Sequence, residues 1–412
     1  MKRFINGLAL FLLLPWHSGA QGIPLDSILS HIRRNHPMLA EYRQRAGAWE
    51  IYAQGTTAWM APMAGLGTFM TPYPGQNPED MDKGALMVSV EQSIPNRTRA
   101  KAAQHAMRAR AGLEEARGAQ QWNMLRAEAR KAVYNWTAAD EQLQQLRRQQ
   151  DMLGIVHDLT RIRYGNSQGN AASIFQVEAK QARLRNMITE AESMKLEAEA
   201  MLKGLMAWPE GMPFHLQPAR PEFDILRLSN DTTQLHARRS DIRETEERIR
   251  QMRLEQTARE LQRKPDYRLR FDHMQPLGQT APAQFTAMAM VTIPIAPWSA
   301  GMYRSESAGM DREISAMEKG KSALLLDART RMLSLAAQLN GLRNQLKGYE
   351  EDILPALQRT FDAVRIAWTE DRETLNMVLD AWENINMARS EYLEKKQRYY
   401  ALIADYEKTA EN

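Results

Sequence analysis

The chain has 412 residues, no cysteine and a formal net charge of +4. The lack of cysteine excludes a disulfide framework, a thiolate metal site and a cysteine nucleophile. Lysine and arginine alternate with aspartate and glutamate along helical patterns, which is typical of solvated helix faces. A nucleic-acid surface would need clustered basic residues with interleaved aromatics, so we predict no nucleic-acid partner.

Residues 1–20 have the pattern of a secretory signal peptide. A basic start is followed by a short apolar core, and small residues at Ser18 and Ala20 precede a cleavage site ahead of Gln21. Because no cysteine follows the apolar core, we predict that the protein is not lipid-anchored. No later segment has 18 consecutive apolar residues, so a membrane-bound form would have to be a closed β-barrel. We predict export to a bacterial cell envelope.

The first half of the exported chain contains helices separated by a pair of strands. A helix is predicted near 37–53, and strands are predicted near 56–70 and 85–95, the second with clear alternation of apolar and polar residues. Apolar residues then recur at an average spacing of 3.5 positions in a long helix over about 97–164, which is typical of a coiled coil. A break follows, and then a further helix over about 171–206.

A proline-rich linker, residues 208–230, leads to a second half with the same plan. The predicted elements are a helix near 233–262, strands near 266–274 and 284–295, a long helix near 299–368 and a helix near 375–408. Pro355 should kink the long helix or mark a change in its winding. The chain is therefore a duplication: 21–207 is the first repeat and 231–412 is the second.

The predicted strands carry apolar side chains on one face and charged side chains on the other, as a lipid-facing barrel strand requires. Four strands cannot close a sheet by themselves, and open strand edges are not tolerated in lipid. We therefore predict that several copies of the chain associate. The fold class is mainly α with a small β part.

Each repeat is interrupted by a break that begins with an aromatic residue. The first break, about 164–173, contains Tyr164, Ser167, Gly169 and Ser173. The second, about 368–381, contains Trp368, Asp371, Glu373, Met377 and Asp380. Together with the duplicated plan, these breaks resemble the TolC family of outer-membrane channels, in which glycine is usual at the positions of Ser167 and Asp371. Aspartate is usual there at the positions of Ser173 and Met377.

The resemblance implies a homotrimer in the outer membrane, with a twelve-stranded β-barrel and an α-helical tunnel of coiled coils that extends into the periplasm. It implies a passive, non-enzymatic conduit with no cofactor and no bound metal, which receives cargo from a periplasmic adaptor and an inner-membrane transporter of the resistance-nodulation-division class. The two breaks would be hairpin tips at the periplasmic entrance. Adaptor-docking residues would be Tyr164, Ser167, Gly169, Ser173 and Trp368.

The acids of the second break have two readings. In a trimer, the aperture would be surrounded by Asp380, Glu373, Asp371 and the neighbouring Met377. A ring of carboxylates at this position attracts cations. Alternatively, Glu373 and its neighbours only stabilise the first turn of the next helix, where the helix dipole favours acids.

The cargo stays open at this level. The turn around Ser167 is most similar to the heavy-metal-efflux branch of the family, so heavy-metal cations or small toxic compounds are candidate substrates. The scattered methionines are predicted to be packing residues rather than soft-metal ligands. Two other functions remain possible: a coiled-coil envelope scaffold without a pore, and a channel for type I protein secretion.

Overall fold

The computed structural model describes residues 22–167, 169–224, 226–279, 281–292 and 297–411. Within these ranges the protein consists of long helices and a single four-stranded antiparallel sheet. The predicted fold class, mainly α with a small β part, is confirmed. The predicted signal peptide, residues 1–20, lies outside the described residues.

The bounds of the elements follow the predicted chain order. The helices are α1 Leu25–Asn35, α2 Pro37–Gly55, α3 Arg97–Gly165, α4 Ala171–Met206, α5 Arg227–Arg238, α6 Ser240–Glu260, α7 Pro297–Gly348, α8 Leu354–Thr369 and α9 Leu375–Ala410. The strands are β1 Met63–Phe69, β2 Ala85–Ile94, β3 Tyr267–Pro276 and β4 Gln284–Val291.

A π-helical turn, Tyr349–Ile353, joins α7 to α8. It lies immediately before Pro355, which has no backbone N–H to donate and whose ring would clash with the carbonyl one turn earlier. A wider turn relieves this conflict without ending the helix. The change in winding that was predicted at Pro355 is therefore present.

Three predicted elements need correction. The first strand begins at Met63 rather than near residue 56, since Pro62 cannot donate to a strand ladder. The helix predicted near 233–262 is two helices, because Arg239 has extended backbone angles (φ −70°, ψ 125°) and separates α5 from α6. Helix α1 was missed, although Ile28 and Ile32, one turn apart, are fully buried.

Two compact units make up the chain, and each draws on both repeats. Within the described residues, the first comprises 22–33, Glu128–Glu222 and Leu342–Ala401. The second comprises Arg34–Ala127, Phe223–Gly341 and 402–411, and it contains the sheet. The compact units therefore do not follow the duplication seen in the sequence, because the long helices α3, α7 and α9 each contribute to both.

The sheet has the strand order β1-β2-β3-β4, and its register sorts side chains by polarity. Val88 lies opposite Leu66 on β1 and opposite His273 on β3, while Val90 lies opposite Phe271. These apolar side chains share one face and are exposed to solvent. The predicted alternation is therefore present on β2 and β3. The outer strands β1 and β4 carry no charged residue, and Met63, Phe69, Met288 and Met290 lie on their opposite face.

The other face of the sheet carries its charges in pairs. Arg268 on β3 lies 2.9 Å from Glu91 on β2, and Arg270 lies 2.9 Å from Asp272 on its own strand. Asp272 is only 4% exposed. The charged residues on this face of β2 and β3 are therefore paired with one another.

The first unit has its own hydrophobic core where four helices meet. Its members come from α3, α4, α8 and α9: Leu143, Leu146, Leu153, Val156, Val177, Leu184, Ala191, Phe361, Trp368, Leu375, Val378, Leu379, Ala381 and Trp382. Burial of these side chains at helical spacing stabilises the bundle that presents both predicted breaks. In the described part of the chain, no helix has a long enough apolar stretch to span a bilayer.

Candidate functional site

The two predicted breaks are tight turns with matching backbones. We call residues 166–167 and 169–170 the first tip turn and residues 370–374 the second tip turn. Ser167 has φ 60° and Asp371 has φ 61°, both in the left-handed region that favours glycine. The amide of Ser167 donates to the carbonyl of Tyr164 at 3.1 Å, and that of Asp371 donates to Trp368 at 3.2 Å. The two turns therefore share one geometry, anchored on the aromatic residue of each break.

The first tip turn is closed by an N-cap on the following helix. The Asn170 Oδ1 accepts hydrogen bonds from the Ser173 backbone N–H at 2.9 Å and from the Ser173 hydroxyl at 3.0 Å. The cap satisfies one of the amide groups that a helix start leaves without a partner. Ser173 therefore holds the start of α4 in place and is only half-exposed, whereas Gly169 and Tyr164 are exposed.

The residues predicted to dock an adaptor do not all offer a free surface. Tyr164 is 49% exposed, but Trp368 is 5% exposed and belongs to the core of the bundle. The indole of Trp368 is thus a structural anchor for the second tip turn within the protomer. A docking contact at this break would have to use the exposed turn residues instead.

An arginine that the sequence analysis missed connects the two tip turns. The Nη1 atom of Arg163, in the last turn of α3, donates to the Trp368 carbonyl at 2.6 Å. The same guanidinium forms an ion pair with Asp371 and lies 5.1 Å from the centroid of the Trp368 ring. A cation at the end of α8 is also favoured by the helix dipole. We call this set of contacts the tip clasp.

The predicted aperture residues separate into two groups. Met377 and Asp380 lie along a single exposed face of α9, which continues through Asn384 and Met387. This spacing of alternately four and three residues keeps side chains on one side of a helix. We call this face the α9 stripe. Asp371 and Glu373, by contrast, lie in the second tip turn, before α9 begins at Leu375. Glu373 is exposed, and Asp371 is engaged by the tip clasp.

A lysine from α4 reaches the edge of the α9 stripe. Lys180 forms an ion pair with Glu383, which follows Asp380 by one helical turn. Burial lowers the pKa of Lys180 and the charge of Arg183 lowers it further, whereas the negative charge of Asp380 raises it. The lysine therefore lies within electrostatic range of both carboxylates. Sequence spacing gave no signal for this contact, because its partners lie on different helices.

A four-stranded sheet with an exposed apolar face, in a chain of long helices that also contains two matching tip turns, is typical of the TolC-like fold. No family model matches the sequence, and no curated protein matches it. Solved structures do match it.

CusC, a protein that forms a transmembrane channel, superimposes with a TM-score of 0.74 and 13% identity over 94% of this chain and 91% of CusC. The outer-membrane channel CmeC of Campylobacter jejuni superimposes with a TM-score of 0.72 and 14% identity, over 94% of this chain and 85% of CmeC. The outer-membrane channel MtrE of Neisseria gonorrhoeae, in an open state, superimposes with a TM-score of 0.71 and 15% identity, over 94% of this chain and 88% of MtrE. The predicted resemblance is therefore confirmed at the level of the fold.

Proposed function

We propose that this protein is the outer-membrane channel of a tripartite efflux system and works as a trimer. It is a passive conduit that receives cargo from a periplasmic adaptor and an inner-membrane transporter. The observation that carries the proposal is the exposed apolar face of the sheet, in a chain that shares its fold with outer-membrane channels such as CmeC and MtrE.

The exposed side chains of the sheet fit a lipid environment. Leu66 on β1 is 76% exposed and Phe285 on β4 is 70% exposed, and both lie on the apolar face. Exposing such side chains to water is unfavourable by about 25 cal/mol for each Å² of apolar surface. Acyl chains would cover them at no such cost. This supports placing the sheet in the outer membrane.

The edges of the sheet argue for several copies. β1 and β4 are the outer strands, and each pairs on one side only within the described chain. Unpaired N–H and C=O groups cost several kcal/mol each in hydrocarbon (order of magnitude), so strands from neighbouring copies must complete the ladder. Three copies of this sheet give the closed arrangement that the family resemblance implies.

The tip turns support a gated entrance. The tip clasp holds the two turns of one protomer together. In the trimer, the α9 stripe would present Asp380 and the second tip turn would present Glu373 from every copy to the aperture. The exposed residues Tyr164, Ser167 and Gly169 provide the surface to which an adaptor would dock. Adaptor binding that strains the tip clasp would open the aperture.

Asp380 on the α9 stripe and Glu373 in the second tip turn favour cations as cargo, because carboxylates at a constriction concentrate cations and repel anions. Heavy-metal cations and cationic toxic compounds are therefore the proposed substrates. Deletion of the gene should lower tolerance to silver or copper salts, or to cationic dyes, more than tolerance to anionic detergents. Equal sensitivity to cationic and anionic compounds would contradict this substrate class.

The channel proposal is tested with two adjacent residues of β2 on opposite faces of the sheet. Val88→Arg places a charge on the apolar face and should remove most of the heat-modifiable trimer from the outer-membrane fraction, since a cation in the bilayer centre costs about 2–4 kcal/mol. Ser89→Arg, on the polar face, should leave the trimer in place. The native protein should form pores in planar bilayers.

Recovery of the native chain as a soluble periplasmic dimer without pores would instead favour the coiled-coil scaffold. If the protein forms pores but its deletion blocks only the secretion of a particular protein, type I secretion would be favoured.

A further inference from the structure

Lys180 is a cation that borders the α9 stripe from the neighbouring helix α4. Its ammonium group pairs with Glu383, and its side chain is 19% exposed against 40% for Glu383. Asp380 precedes Glu383 by three residues, so the two carboxylates lie on adjacent turns of α9. The influence of Asp380 on the pKa of Lys180 places both acids within reach of the same positive charge.

The packing of α4 fixes where this charge lies. Lys180 is flanked on α4 by two core residues. Val177, three residues earlier, is 0% exposed, and Leu184, four residues later, is 2% exposed; both belong to the bundle core. They hold the α4 backbone against α9, so the lysine stem runs from the core toward the stripe. A cation that is only partly exposed is less screened by water and salt than one on the surface.

We propose that Lys180 is a specificity-determining residue of the conduit. It neutralises Glu383 and offsets part of the charge of Asp380, and so it limits how strongly the aperture prefers cations. The inference rests on the proposed channel function, because the α9 stripe lines an aperture only in that assembly. In that assembly each copy contributes one such lysine beside its own pair of acids.

The inference predicts opposite effects for the two partners of the ion pair. Lys180→Gln leaves Asp380 and Glu383 without their cation. The trimer carries three copies of Lys180, so the variant removes three unit charges. Each charge at about 10 Å from the permeating ion changes occupancy by about twofold in water, so cation and anion occupancy change by about eightfold each, in opposite directions. Before screening by salt, the cation-to-anion permeability ratio should therefore rise by about 60-fold. Glu383→Gln frees Lys180 to face Asp380, and the ratio should fall. Lys180→Arg keeps the charge and should retain the native ratio.

The measurement is the reversal potential of the purified full-length protein in planar bilayers under a potassium chloride gradient. Low ionic strength is used because salt screens the effect. Lys195→Gln is the matched control, since Lys195 also lies on α4, is 26% exposed and pairs with an acid, Asp140 on α3. This control should keep the native ratio.

The outcomes separate the inference from the function on which it rests. Absence of pores in the native protein overturns the channel proposal itself. Native pores with an unchanged ratio in Lys180→Gln, or a change of equal size in Lys195→Gln, overturn the role of Lys180. If Lys180→Gln fails to form the heat-modifiable trimer, Glu383→Gln decides alone, and an unchanged or raised ratio there overturns the inference.

Discussion

Replacing Arg163 by glutamine removes every contact of the tip clasp while keeping a polar side chain. The hydrogen bond from Arg163 to the Trp368 carbonyl, at 2.6 Å, is charge-assisted and contributes about 1.5–3 kcal/mol. The cation–π contact with the Trp368 ring adds about 0.5–1 kcal/mol. The ion pair with Asp371 contributes little, about 0.5 kcal/mol, since the Asp371 side chain is 65% exposed.

Because these terms are not additive, we expect Arg163→Gln to lower the local free energy of opening by about 2–3 kcal/mol. Asp371→Asn should lower it by only about 0.5 kcal/mol. The assay is hydrogen–deuterium exchange at the Asp371 amide, which donates to Trp368 at 3.2 Å. Its exchange should be about 30- to 150-fold faster in Arg163→Gln and about twofold faster in Asp371→Asn.

Arg161→Gln is the matched control, because Arg161 lies two residues earlier on α3 and is exposed. If Arg163→Gln and Arg161→Gln accelerate exchange equally, the tip clasp does not hold the turns together. If Asp371→Asn is as damaging as Arg163→Gln, the ion pair rather than the carbonyl contact carries the energy. Within the proposed function, Arg163→Gln should also raise the single-channel conductance.

Three further changes test the local structure. Ser167→Gly should raise the free energy of unfolding by about 0.5–1 kcal/mol, because Ser167 has φ 60° and glycine adopts this conformation without a steric penalty. Burial, with the hydrogen bond to Glu350, raises the pKa of Tyr392 above its usual 10.0. The neutral phenol is therefore favoured in the folded state, and its stabilisation is present below pH 10 and lost as the pH rises further. Gly278→Ala should separate two hairpin loops, the one that joins β1 to β2 and the one that joins β3 to β4. A Cβ at Gly278 would lie 1.9 Å from the carbonyl oxygen of Asp80 in the other loop.

Each of these changes has its own control. The control for Ser167→Gly is Ser173→Gly, because Ser173 lies within α4. Denaturant unfolding should show that Ser173→Gly lowers the free energy of unfolding by about 1 kcal/mol, whereas Ser167→Gly raises it. Tyr392→Phe should reduce the fall in the free energy of unfolding as the pH rises above 10. If the fall is the same in the variant, other groups cause it. Limited proteolysis should cut the hairpin loops faster in Gly278→Ala but not in Gly67→Ala, where an added Cβ meets nothing within 4 Å.

The sequence by itself determined the features that depend on the spacing of residues along the chain. The 3.5-residue periodicity predicted α3 as a helix, and the structure gives it as Arg97–Gly165. The alternation over residues 85–92 predicted β2 and the polarity of its two faces. The aromatic residues at 164 and 368 located both tip turns. These signals are local, since a helix or strand must bury one face and that requirement fixes the spacing of its own apolar residues.

Only the tertiary structure decided which side chains meet across helices. Arg163 and Trp368 are 205 residues apart in the chain, and Lys180 and Glu383 are 203 apart. Their contacts depend on how far one helix is shifted and rotated against another, which no residue's own spacing encodes. For the same reason Trp368, predicted as a surface contact, proved to be buried. Periodicity along the chain specifies an element, whereas the pairing of charged groups follows from the packing of several elements at once.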